Sequence, residues 1–185
     1  MKSKLPAGLI DGNIELFSEN MEKPKGLYNG RVLDFHKLPE KFMNDLLDYY
    51  NQDYEAQKEM KRHNITDVGK LLSIYAVCKF GGFDRNPDYR NGEFTPEYFD
   101  CPYRGDCLYK EKLCAKLQAQ KGSISRKEIS VIKLIAKEYP VKQIADKLCI
   151  SPKTARTHVV NIHRKLNVHN NTGVTAFAFR NNLIH

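Results

Sequence analysis

Tryptophan is absent from the 185 residues, and no run of apolar side chains approaches the roughly 20 that a helix needs to cross a bilayer. A membrane-spanning protein is therefore not expected. The opening MKSKLPAGLIDGNIELF has no long apolar stretch, so a secretory leader is not expected either. Five cysteines without obvious pairing then point to a reducing, cytoplasmic setting. Repeats and low-complexity segments are missing. So are carboxylates paired at the spacing that metal-dependent phosphoryl transfer needs, and a non-enzyme is expected. No acidic pair is followed by the strand–helix alternation of a phosphoacceptor receiver domain.

Acidic side chains are scarce in one region only. Residues 121–185 hold 12 Lys and Arg against 3 Asp and Glu, whereas residues 1–120 hold 18 against 19. The net charge of +8 thus sits on the last third of the chain. A field that one-sided is an electrostatic footprint for a polyanion and implies salt-sensitive binding through counterion release. An apolar fraction of 41% suffices for a core, and the length allows one medium domain or two small ones.

Val141 to Leu166, VKQIADKLCISPKTARTHVVNIHRKL, reads as two helices joined by a tight turn. Ile144, Ala145 and Leu148 share one face of a short first helix, which Cys149 and Ile150 interrupt. Ser151 restarts the chain as an N-cap, and Pro152 takes the first helical position, where no amide is missed. Ala155, Val159, Ile162 and Leu166 then form an apolar stripe. The opposite face carries Lys153, Arg156, Thr157, Val160, Asn161 and Arg164, the outline of a helix-turn-helix reader. Upstream, Ser125-Arg126-Lys127-Glu128 is a capping box, with Ile124 and Ile129 placed as its hydrophobic staple. Downstream, Asn167 to Asn171 is a polar turn, and 172–180 reads as a last amphipathic helix.

The run from Ile124 to Ile184 resembles the LuxR/GerE-type DNA-binding domain, a four-helix module of transcription regulators. The likeness is carried by S-x-x-E, K-x-I-A-x-x-L, S-x-x-T, T-H-V, I-x-x-K-L and the final R-N-x-L-I, and it covers the last third of the chain. Two positions depart from the family pattern: Ala155 replaces a larger aliphatic, and Cys149 stands in the turn, where a small buried residue suffices. The resemblance implies that the second helix of the pair enters the major groove of double-stranded DNA. Arg156, Thr157, Val160 and Asn161 would then face base edges. Lys142, Ser151, Lys153, Thr154, Arg164 and Lys165 would grip phosphates. His158, at the T-H-V position, would support the helix rather than read a base. It further implies that Val174, Phe177, Ala178 and Phe179 supply either a homodimer surface or the last helix's own packing face. The acyl-homoserine-lactone-binding type of N-terminal half relies on tryptophan, which this chain lacks, and is not expected.

The preceding 117 residues resemble nothing recognised. Arg31 to Phe35 alternates as a strand of a small hairpin. Pro39 opens a helix with Phe42, Met43, Leu46, Leu47 and Tyr50 on one face, continued by the polar NQDYEAQKEMKRHN as a solvated extension. A second helix, capped by Thr66 or Asp67, runs to Gly81-Gly82. The fold class expected is mainly α: a small, mostly helical N-terminal domain (1–117), a linker (118–123) and a four-helix LuxR-type domain (124–185).

After Gly82 comes a long polar stretch, 83–100, with five aromatics, bracketed by Cys78-x22-Cys101-x5-Cys107-x6-Cys114. A loop without its own core can be fixed by a metal held on four thiolates, zinc first, with Lys79, Arg104, Lys110 and Lys112 offsetting the charge. Neither short spacing is the two-residue knuckle usual for zinc, which keeps an iron–sulphur cluster open, with Cys101-Pro102 a weak hint. Reduced thiols packed as small hydrophobes and a redox pair of Cys101 and Cys107 are the remaining readings. His63 is an outside candidate for a ligand; His36, His163, His169 and His185 read as surface residues. The function expected is therefore a sequence-specific DNA-binding transcription regulator whose N-terminal half senses a signal or binds a partner. The alternative is a sigma-like or adaptor protein whose N-terminal half binds RNA polymerase or another protein, with the aromatics of 83–99 as the partner surface. A DNA-acting enzyme targeted by this module is the third reading.

Overall fold

The computed structural model describes residues 8–18, 23–84, 86–99, 101, 103–104, 106–109 and 112–184. Pro102, Lys110 and His185, which the sequence singled out, lie outside them. The chain divides into two compact units, Met1–Ala115 and Lys116–His185.

The first unit is not mainly helical. It contains a five-stranded antiparallel sheet of β1 (Ile14–Ser18), β2 (Pro24–Tyr28), β3 (Arg31–Asp34), β4 (Tyr89–Arg90) and β5 (Glu93–Phe94), in the order β3-β2-β1-β4-β5. Alternation marks β3, the strand expected from Arg31, but β1 and β2 escape it for two reasons. β1 buries a glutamate, Glu15, between Ile14 and Leu16, and β2 is built from Pro24, Lys25 and Gly26, residues poor in strand propensity. Gly26 packs closely on Leu38: a Cβ there would stand 2.7 Å from Leu38 Cδ2, so that side chain would have to shift. Two-residue turns at Asn29-Gly30 and Asn91-Gly92, all four residues with positive φ, close the β2–β3 and β4–β5 hairpins.

Three helices complete this unit: α1 (Glu40–Asn51), α2 (Tyr54–Arg62) and α3 (Val68–Phe80). The expected solvated extension of α1 is a separate helix. Asp53 breaks the chain and caps α2, accepting a hydrogen bond from Ala56 N at 3.0 Å, and Ala56 and Met60 are buried. Asp67 caps α3 in the same way through Lys70 N at 2.7 Å. From Leu72 to Cys78 every residue of α3 is buried, so it is the central rod of the unit. Around it Phe42, Tyr49, Phe80, Tyr89 and Phe94 pack edge-to-face or tilted at 4.9–6.3 Å. Tyr89 and Phe94 are thus structural, and of the large aromatics in 83–99 only Phe83 is left well exposed. The surface on which the adaptor reading relied is largely spent on the core.

The second unit opens with a hairpin, β6 (Gln118–Ala119) and β7 (Gly122–Ser123), occupying the stretch read as a linker. Four helices follow: α4 (Arg126–Ala136), α5 (Val141–Lys147), α6 (Pro152–Leu166) and α7 (Asn171–Arg180). Val131, Ile132, Ile135, Ile144, Ala145, Ala155, Ile162, Val174 and Ala178 form their shared core. No helix among the described residues is long and apolar enough to cross a membrane.

Candidate nucleic-acid interface

The capping box at α4 is complete. Ser125 N donates to Glu128 Oε2 at 2.8 Å, and Glu128 N returns to Ser125 Oγ at 3.4 Å. Lys165, near the end of α6, reaches the same carboxylate at 2.7 Å and Ser123 O at 2.9 Å. Burial opposes ionisation of Glu128, but the bonds from Lys165 and Ser125 outweigh it and hold its carboxyl below the usual range. Lys165, expected at a phosphate, is therefore half-buried and engaged in the scaffold.

α5 and α6 pack against each other, each bringing a fully buried alanine, Ala145 and Ala155. The turn between them holds a surprise. Cys149 is not buried: it is exposed and left-handed, with φ +51, a conformation that a side chain disfavours. Its amide donates to Asp146 O, and Ile150 N donates to Ala145 O, closing α5 as a helix end closed by glycine would.

α6 begins on Ser151, whose hydroxyl accepts from Thr154 N at 3.0 Å and lies 2.8 Å from Thr154 Oγ1, with Pro152 in the first turn. It ends on Asn167, left-handed at φ +56, whose side chain accepts from Lys121 Nζ at 3.2 Å. Between these fixed ends Ala155, Ile162 and Leu166 are buried. Lys153, Arg156, Thr157, Val160 and Arg164 are exposed on the other side, with Asn161 half-exposed beside them. Thr157 Oγ1 donates to Lys153 O at 3.0 Å, and Arg164 donates to Asn161 Oδ1 at 3.3 Å. Val160 has no core to join and is 60% exposed. Lys142 is exposed in the first turn of α5, and Ser151 and Thr154 are exposed at the N-terminus of α6. His158 is half-buried, while His163 pairs with Asn171 Oδ1 at 3.1 Å.

On α7 the four residues expected to offer a surface separate. Val174 and Ala178 are wholly buried within their own unit, Phe177 is half-buried, and Phe179 stays outside at 56% exposure. A homodimer contact through this helix cannot use Val174 or Ala178, because their i, i+4 spacing turns both inward.

In the first unit, Cys78 and Cys101 are buried and Cys107 and Cys114 half-buried, with no disulfide among them. Among the described residues no three His, Cys, Asp or Glu side chains meet around one metal ion. His63 is engaged elsewhere, 3.1 Å from Glu59 Oε1 and edge-on to the Tyr109 ring.

No motif in the sequence marks the cluster of buried carboxyls in the first unit. Glu15 and Asp88 are 0% and 1% exposed, and Glu97 and Asp84 lie beside them. Asp84 N donates to Glu15 Oε1 and Leu16 N to Asp88 Oδ2, yet Glu15 Oε2 and Glu97 Oε1 are buried without a hydrogen-bond partner. Burial first, and then the neighbouring carboxyls, push Glu15 and Glu97 up to about 8 and Asp88 well above its ordinary value. Only the buried strand position of Glu15, an acid between two apolar residues, carried a signal for it.

Comparison with known proteins falls on the second unit. Residues 122–178 match the family model "Bacterial regulatory proteins, luxR family". The response regulator protein VraR of Staphylococcus epidermidis is 32% identical over 89 residues, 44% of this chain and 43% of that protein. VraR of Staphylococcus aureus is 32% identical over 88 residues, 44% of this chain and 42% of its own length. The chain therefore spans less than half the length of these relatives. With the capped α4, the α5–turn–α6 pair and the family match in one segment, residues 122–178 are a helix-turn-helix domain of the luxR family of bacterial regulatory proteins.

Proposed function

We propose that this protein is a sequence-specific DNA-binding transcription regulator that lays α6 in the major groove. The observation that carries the reading is the outer row of α6. Val160, an apolar side chain with no core to enter, stands exposed between Arg156 and Arg164 on a rigidly capped helix. An exposed valine flanked by arginines suits a base-pair edge, where the thymine methyl takes the valine and guanine O6 and N7 take an arginine fork. Arg156, Thr157, Val160 and Asn161 are assigned to base edges. Lys142, Ser151, Lys153, Thr154 and Arg164 are assigned to phosphates, and Lys165 is left to the scaffold. The lopsided charge of the chain, and the description of its relatives as response regulators, support the same reading.

The test begins with duplexes selected from a random pool by the whole protein. Arg156→Ala should cost about 1–3 kcal/mol on the selected site and relax preference at one base pair, whereas Lys153→Ala should weaken selected and random duplexes alike. Equal losses on both duplexes for Arg156→Ala would remove it from the readers.

A further inference from the structure

The β6–β7 hairpin begins at Gln118, ahead of the segment 122–178 that the family model matches. Gln118 pairs with Ser123 and Ala119 with Gly122, which leaves Gln120 and Lys121 as the turn. Gly122 follows at φ +94, a value that glycine adopts without strain. The Lys121 amide, at the tip, donates outside the hairpin to Lys165 O at 3.0 Å. The last carbonyls of a helix have no partner within it. The chain beyond α6 satisfies two of them, as Asn167 N donates to Arg164 O and Val168 N to His163 O. Lys165 O takes its bond from the hairpin instead. Two more bonds join the same parts: Lys121 Nζ donates to Asn167 Oδ1 at 3.2 Å, and Lys165 Nζ donates to Ser123 O at 2.9 Å.

We propose that Lys121 is a positioning residue for base reading, through which the hairpin sets how deep the far end of α6 sits in the groove. The inference rests on the DNA reading of α6. Leverage decides which readers depend on it. At a rise of about 1.5 Å per residue, Arg156 lies about 7.5 Å and Asn161 about 15 Å along the axis from Ser151, where the helix is capped. A tilt about that start carries Asn161 about twice as far as Arg156. Asn161 is also coupled to the far end directly, because Arg164, the neighbour of Lys165, donates to Asn161 Oδ1 at 3.3 Å. Hydrogen bonds weaken steeply once distance and angle are lost. The base contacts of Val160 and Asn161 therefore depend on the hairpin, and that of Arg156 does so far less.

Lys165 and Lys121 divide the work. The Lys165 ammonium lies inside the junction, joining α6 to the start of α4 through Glu128 Oε2 at 2.7 Å and to the hairpin through Ser123 O. Lys121 closes the junction from outside. It is exposed, and its ammonium rests on the left-handed residue that ends α6, where the helix dipole favours a cation. An exposed lysine on a basic unit resembles a phosphate ligand, but both its amide and its ammonium are committed to the end of the helix.

The test uses the whole chain with the selected duplex and a random one. Lys121→Met keeps the apolar stem and removes the ammonium. It should lose about threefold to tenfold in affinity for the selected duplex, the range of one hydrogen bond, and nothing on the random one. Preference should relax at the base pairs read by Val160 and Asn161 and persist at the pair read by Arg156. The slope of log affinity against log salt should stay at the wild-type value. Lys121→Arg, which can still donate to Asn167, should restore the preference. Asn167→Gly keeps the left-handed backbone and should reproduce the loss, and adding Lys121→Met to it should cost nothing more. Partial unfolding alone would lower binding to both duplexes equally, and far-ultraviolet circular dichroism of each variant checks for it. Equal weakening on both duplexes, with a slope lower by about 1, would make Lys121 a phosphate ligand and overturn the role. Wild-type preference in Lys121→Met, or full additivity with Asn167→Gly, would overturn it too. Arg156→Ala separates the two levels. Equal losses on both duplexes for that variant would bring down base reading by α6 and this role with it, whereas a discriminating Arg156 beside an indifferent Lys121→Met removes only the role.

Discussion

At Cys149 a side chain occupies a backbone position that glycine fills without strain. The left-handed region costs a residue with a Cβ about 1–2 kcal/mol, and this Cβ faces solvent, so no packing is lost on removing it. Cys149→Gly should therefore raise the stability of the second unit by about 1 kcal/mol in urea denaturation, with DNA preference unchanged. The residue's place in the turn was readable from the sequence, but its exposure was not. A small residue between Leu148 and Ile150 looks buried until the sign of φ is known. The buried carboxyls make the opposite case. Glu15 and Glu97 hold their protons up to about 8, against an ordinary value of 4.5, so the folded state binds more protons than the unfolded chain between those limits. Their contribution is fully present below about 4.5 and is lost as pH rises through about 8. Glu97→Gln, which keeps the neutral shape, should flatten the fall in urea midpoint from pH 5 to pH 9 while leaving the pH 5 value nearly unchanged.

Among the elements, those of the second unit were nearly all readable, because each carries its own end signals. Ser125 with Glu128 and Ser151 with Pro152 announce a helix start, and the structure realises each cap, whereas Asn170, which reads as part of a polar turn, turns out to cap α7 through Gly173 N. The first unit carries fewer. Its strands are short, one has a proline and a glycine, and another buries an acid, so alternation fails for β1 and β2 although Asn29-Gly30 and Asn91-Gly92 mark both hairpins. The α1–α2 break was missed because Asp53 reads as one more polar residue until its cap is seen. The link that no pattern revealed is Lys165 to Glu128, 37 residues apart. Lys165→Met would leave the buried Glu128 carboxylate short of a partner, at a cost of about 1–3 kcal/mol. The loss should be largest at neutral pH and shrink on acidification, since a carboxyl held below its usual range contributes stability only where it is ionised. A loss that did not shrink in acid would point to the packing of the lysine stem instead.

Over the whole molecule, the charge of the two units differs in kind. Because the excess of Lys and Arg lies in residues 121–185, the salt dependence of DNA binding should belong to that part alone. A fragment of residues 116–185, one of the two compact units, should reproduce the slope of log affinity against log salt measured for the full chain. Lys153→Ala should reduce that slope by about 1. A markedly steeper slope for the full chain would mean that the first unit also touches the phosphate backbone.

α6 is held at both ends before any partner arrives: Ser151 at its start, and at its finish Asn167 tied to Lys121 and Lys165 tied to Glu128. A reading head that is already rigid has no ordering cost left to meet when it docks. Calorimetry of the specific complex should accordingly give a heat-capacity change no larger than the contacted surface itself accounts for, without the excess that accompanies folding on binding. Any adjustment of shape between the two surfaces then falls to the duplex, so that sequences that bend easily at their uncontacted steps will be preferred over stiff ones carrying the same contacted bases.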